Sequence, residues 1–126
     1  MITLDDLKGK NICVTGEFRF ISRAKLTYAI EAKTGHKPVN HCSEKTDFIF
    51  VADSAIEYYN EYGKGSTKLA KAVMLKKLGY NIRFISEETV YNLFPDAGYH
   101  KQKGLHIKMN QGIDNDLGKV TFKYEH

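Results

Sequence analysis

Asn11-Ile12-Cys13-Val14-Thr15-Gly16 is a short apolar run that ends on a hydroxyl residue and a glycine. A run of this length that stops at a turn residue suits a parallel strand buried on both faces better than a helix. In open α/β sheets ligands gather beyond the carboxyl ends of the strands, so Thr15 and Gly16 mark the end of the sheet to watch. Seven residues after Gly16, Arg23 opens an expected helix, and far downstream Gly65-Ser66-Thr67-Lys68 leads into another. The combination reads as a pocket for one phosphate. Thr15 offers a hydroxyl, Gly16 an unobstructed backbone amide, and Arg23 and Lys68 bring positive charge from the starts of two helices.

The rest of the chain falls into place around that strand. Ser22 is a good N-cap, after which Ala24, Leu26, Ala29 and Ile30 recur at helical spacing until Gly35 supplies a left-handed stop. Lys37 to Asn40 is expected as a short edge strand, where Pro38 is tolerated because an edge need not donate every amide. Asp47 to Ala52 is apolar, β-branched and aromatic, the features of a central strand. Asp53 to Ser66 is expected as a long connection carrying Tyr58, Tyr59 and Tyr62. From Lys68 to Leu78 a helix presents Leu69, Ala72, Val73 and Leu75 on one face and stops at Gly79. Asn81 to Ile85 gives a further strand. Ser86 then caps a last helix with apolar positions Val90, Leu93 and Phe94, closed by Pro95.

This order predicts an α/β fold, a four-stranded parallel sheet flanked by helices on both faces, over residues 1–95, since parallel crossovers need covering helices. From Asp96 to His126 the composition changes. Gly98, Gly104, Gly112 and Gly118 separate short segments such as Leu105 to Met109 and Lys119 to Tyr124, which predicts a C-terminal β-hairpin extension over 96–126. Such a hairpin offers a docking or dimerisation edge.

The 126 residues are enough for one domain with its own core and an appendage. Apolar content of 42% and charged content of 27% are ordinary for a globular chain, and no apolar run approaches the roughly 20 residues of a membrane span. Met1 to Lys10 carries two aspartates and no apolar core, unlike a signal peptide, so a cytoplasmic protein is expected. Cys13 and Cys42, the only cysteines, form no C-x-x-C pair and read as buried reduced thiols. His36, His41 and Cys42 are one ligand short of a structural zinc site, so neither metal nor cofactor is expected.

The net charge of +4 is unevenly spread. No acidic residue lies between Glu61 and Glu87, whereas Lys64, Lys68, Lys71, Lys76, Lys77 and Arg83 all do. A concentrated positive face favours a polyanionic partner, and Lys64 and Lys71 flank the expected pocket.

Several separated matches, in order, resemble a BRCT domain over about residues 4–95: Leu7-Lys8-Gly9-Lys10, the strand into Thr15-Gly16, Arg23, Thr34-Gly35, Thr46-Asp47-Phe48-Ile49-Phe50-Val51, Lys68-Leu69-Ala70-Lys71-Ala72 and Ile85-Ser86-Glu87-Glu88. The chain is most similar to the single BRCT module of bacterial NAD-dependent DNA ligases and of the clamp-loader large subunit. In that subgroup a Thr-Gly after the first strand, an Arg at the first helix and a Gly-x-x-Lys before the second build a phosphate pocket. The matching positions here are Thr15, Gly16, Arg23, Gly65 and Lys68. The resemblance implies recognition of a 5′-phosphate at a DNA end, with the duplex running across neighbouring basic residues. Two positions depart from the pattern. Thr34-Gly35 stands where the family has Gly-Gly, and Tyr91 or Phe94 replaces a frequent tryptophan in the last helix. The tyrosine-bearing loop is also longer than in the ligase type.

Three functions are therefore carried forward. The first is a non-catalytic DNA-binding module for 5′-phosphorylated ends in repair or replication. The second is a phosphoprotein-binding adaptor, and the third an interaction or dimerisation element acting through the hairpin or the tyrosine-rich loop. The chain has no Lys-x-Asp-Gly nucleotidylation motif and no Gly-x-x-x-x-Gly-Lys-Ser/Thr loop, so catalysis is expected only from an associated enzyme such as a ligase. Glu31 and Asp47 read as surface or capping residues.

Overall fold

Alternation along three short strands divides the core in two. In the computed structural model, which describes residues 2–62 and 67–97, β1 (Ile12–Thr15), β2 (Phe48–Val51) and β3 (Arg83–Ser86) form a parallel sheet in the order β1-β2-β3. Side chains alternate across a strand, so Ile12, Val14, Phe48, Phe50 and Ile85 fall on one face and Cys13, Ile49, Val51 and Phe84 on the other. Among the described residues five helices accompany the sheet: α1 (Leu4–Leu7), α2 (Arg23–Thr34), α3 (Asp53–Tyr62), α4 (Thr67–Lys77) and α5 (Glu87–Leu93). The first face packs on Leu7 of α1, Leu26 and Ile30 of α2, and Val90 and Leu93 of α5. The second packs on Ala55, Ile56 and Tyr59 of α3 and on Leu69, Ala72 and Val73 of α4. Each fully buried Leu, Ile or Phe contributes about 1.5–3 kcal/mol, so both layers are needed to hold so small a sheet.

Helix ends follow local chemistry. The Ser22 hydroxyl accepts from the Lys25 amide at 3.2 Å, and Gly35 ends α2 at φ +96°, its amide donating to Glu31 O at 2.9 Å. Ser86 caps α5 in the same way by accepting from the Thr89 amide. Asp47 fixes the start of the ladder. Its carboxylate accepts from the Asn11 amide at 2.8 Å, while its own amide donates to Asn11 O and its carbonyl accepts from the Arg83 amide.

Two expectations need correction. Asp53 to Tyr62 is a helix, because Ala55, Ile56 and Tyr59 share one face that closes over the sheet and no glycine or proline interrupts the stretch. Lys37 to Asn40, expected as a short edge strand, contributes an isolated parallel bridge between Val39 and Cys13. The Val39 amide donates to Ile12 O at 2.8 Å, and the next acceptor along that edge, Val14 O, is met among the described residues by side chains and not by a further backbone amide. The hairpin expected over 96–126 lies outside the described residues except for Asp96 and Ala97.

Candidate functional site

The carbonyls of β1 alternate in direction, and this creates the site. Asn11 O and Thr15 O face β2, where they accept from the Phe48 and Ala52 amides at 3.2 and 3.0 Å. Ile12 O and Val14 O therefore face the other edge. Val39 takes the first. Beyond that bridge, Val14 O is met by two cations: Lys68 Nζ donates to it at 3.2 Å and Arg23 Nη1 at 3.4 Å. Arg23 Nη2 also donates to Gly16 O.

The two side chains arrive from opposite sides of the sheet. Arg23 is the first residue of α2 and Lys68 the second of α4, helices that cover different faces. Among the described residues neither is paired with a carboxylate. Two like charges held on one carbonyl repel each other, and an anion between them turns that repulsion into attraction. Each cation also has more N–H donors than its carbonyl bonds use. Arg19 provides a contrast, for it is neutralised by Asp53 at 3.5 Å and Glu57 at 3.7 Å.

Gly16 is fixed by backbone shape and by crowding. Its φ is +86°, and a Cβ there would stand 2.9 Å from the Cβ atoms of both Ala52 and Ala55 and 3.0 Å from Ser54 Oγ. The loop that follows lines a cavity of about 300 Å³ with Gly16, Glu17, Phe18, Ile21, Ser22 and Arg23. Thr15 is only 2% exposed, so it belongs to the wall of the site, with its carbonyl committed to Ala52. Lys71, one turn beyond Lys68, lines a neighbouring cavity of about 260 Å³ with His41, Cys42 and Lys68. Of the residues expected from sequence, Thr15, Gly16, Arg23 and Lys68 are thus gathered at one end of β1, and Lys71 shares a cavity with Lys68. Lys64 and Gly65 lie outside the described residues.

A supporting layer was not foreseen. Glu87 is fully buried, and its carboxylate accepts from the Arg19 amide and the Asp53 amide, both at 2.8 Å, and from the Tyr91 hydroxyl. Tyr91 in turn accepts from the Phe20 amide at 3.1 Å, and Ser54 Oγ accepts from the Glu17 amide at 2.8 Å. Burial, reinforced by its hydrogen bond to Glu87, pushes the Tyr91 hydroxyl well above its ordinary pKa. Glu87, Ser54 and Tyr91 therefore hold the loop between Gly16 and Arg23 from below. In sequence, Glu87 looks like an ordinary first-turn acid after the Ser86 cap, and nothing local marks it as buried.

Compared with known proteins, the chain matches no protein-family model and no curated sequence.

Proposed function

We propose that this chain is a BRCT-like, non-catalytic module that binds the 5′-phosphate of a DNA end at the carboxyl end of β1. On this reading the Val39 bridge stands for the fourth, edge strand of the BRCT sheet. The observation that carries the proposal is the meeting of Arg23 and Lys68, neither paired with a carboxylate among the described residues, on the single carbonyl of Val14. A terminal phosphate is small and multiply charged, and it accepts hydrogen bonds on several oxygens. It suits two convergent cations better than an internal phosphodiester does. Hydrogen bonds to a charged group contribute about 1.5–3 kcal/mol each, so two or three at this spot give useful discrimination for a terminal phosphate. Lys71, with Lys64 in the same acid-free stretch, supplies sequence-independent attraction for the flanking duplex.

The test is a titration with a duplex bearing a 5′-phosphate and the same duplex without it, run beside a phosphoserine peptide. Tighter binding of the phosphorylated duplex is expected. Equal affinity for the two duplexes, or preference for the peptide, rejects this reading.

A second reading, a protein-interaction adaptor, is favoured by one observation. An apolar groove of about 730 Å³ runs between α2 and the end of α5, walled by Ala24, Tyr28, Ala29, Leu93 and Phe94. Tyr28 in it is largely exposed. The two readings use different surfaces, so a Tyr28→Ala variant that binds DNA normally and loses a protein partner separates them.

A further inference from the structure

Cys13 and Cys42 stand 29 positions apart in sequence, yet the fold places them in one buried cluster. Cys13 sits on β1 and pairs through the parallel bridge with Val39, and the chain returns to the same layer three residues later at Cys42. Both are free thiols, 0% and 6% exposed. Neither takes part in the phosphate site. Cys42, however, lines the cavity that it shares with His41, Lys68 and Lys71, so the pair is buried on the protein side and approachable through a cationic opening.

From this placement we infer that Cys13 and Cys42 are a redox pair, convertible to an intramolecular disulfide by a small anionic disulfide such as oxidised glutathione. Lys68 and Lys71 at the opening attract the oxidant's carboxylates. The step balances as two thiol–disulfide exchanges. The Cys42 thiolate attacks one sulfur of the glutathione disulfide, forming a mixed disulfide and releasing one glutathione thiolate. The Cys13 thiolate then attacks the Cys42 sulfur, closing the Cys13–Cys42 bond and releasing the second. The protein loses two electrons and two protons, and one glutathione disulfide becomes two glutathione thiols. The environment favours Cys13 for the closing step. The contact between the two thiols lowers the Cys13 pKa and, together with burial, raises that of Cys42. Cys42 reacts first because it lines the opening, and Cys13 is the better nucleophile for closing the bond.

The experiment equilibrates the full chain with glutathione buffers of graded ratio, folded and in guanidinium chloride, then quenches with acid and measures intact mass. Because the chain has two cysteines, a monomer lighter by about 2 Da, restored by reductant, identifies this bond. The equilibrium constant for its formation is expected to be more than about tenfold higher in the folded chain than in the unfolded one, the equivalent of about 1.4 kcal/mol. A folded chain no more oxidised than the unfolded one overturns the inference. So does a product that carries glutathione adducts or is a covalent dimer.

Discussion

Arg23 and Lys68, the first residue of α2 and the second of α4, converge from opposite faces of the sheet on the same backbone oxygen, that of Val14, at 3.4 and 3.2 Å. The carbonyl holds two positive charges that, among the described residues, no carboxylate neutralises. Its position past the Val39 bridge gives the proposed phosphate a defined place.

Removing one cation should separate specific from general attraction. Lys68→Ala is expected to weaken binding of a 5′-phosphorylated duplex by about 1.5–3 kcal/mol, roughly 10- to 150-fold, and to change binding of the unphosphorylated duplex much less. Fluorescence anisotropy on the matched pair of duplexes measures both. Arg23→Ala should behave similarly and also lower the thermal midpoint, because Arg23 additionally holds Gly16 O.

Gly16 and Gly35 both have positive φ, and only Gly16 is crowded. Gly35→Ala meets nothing within 4 Å and should cost about 1 kcal/mol, the ordinary expense of a left-handed residue with a side chain. Gly16→Ala adds the clash with Ala52 and Ala55 and should cost at least about 2–3 kcal/mol. Urea denaturation of the two variants compares them directly. Equal losses would show that the turn at Gly16 has room to relax.

Glu87 should matter to stability although it is remote from the proposed anion position. Glu87→Ala leaves the Arg19 and Asp53 amides without their buried acceptor, each at a cost of about 1–3 kcal/mol, so a total loss of about 2–6 kcal/mol is expected. Thermal unfolding reads this. Binding measured well below the melting transition should fall as well, because the loop from Glu17 to Ser22 loses its support.

Tyr91 gives the fold an alkaline limit. Burial, together with Glu87, raises its folded-state pKa above the ordinary value of 10.0. The folded state therefore keeps a proton that the unfolded state releases. The associated stability is fully present below pH 10 and declines as pH rises towards the folded-state pKa. Urea titrations at pH 8 and above pH 10 should show a smaller alkaline loss in Tyr91→Phe than in the wild type. Parallel pH dependence in the two would assign that loss to other groups.

The sheet was legible because its strands are apolar runs with clear punctuation. Ser22 and Gly35 marked both ends of α2, and Ser86 marked the start of α5, by the same capping chemistry that the structure uses. α3 was not read because Tyr58, Tyr59 and Tyr62 suggested a connection, and only its packing on the sheet makes Ala55, Ile56 and Tyr59 a face. The residues of the site were legible as chemical types. Their meeting point was not, since it depends on which way the Val14 carbonyl points, a property of strand register. Glu87 was invisible for a related reason: its partners, Arg19 and Asp53, are distant in sequence and use backbone amides that carry no sequence signature.

The central claim is that Arg23 and Lys68 select a terminal phosphate, and salt-dependent titration of the wild-type chain with matched duplexes tests it most directly. The phosphorylated duplex should bind more tightly at every salt concentration, log K should fall with log[salt] at about 0.9 per phosphate neutralised, and Lys68→Ala should shrink the difference between the duplexes by roughly 10- to 150-fold. A wild-type chain that binds both duplexes equally, or whose preference is undiminished by the loss of Lys68, contradicts it.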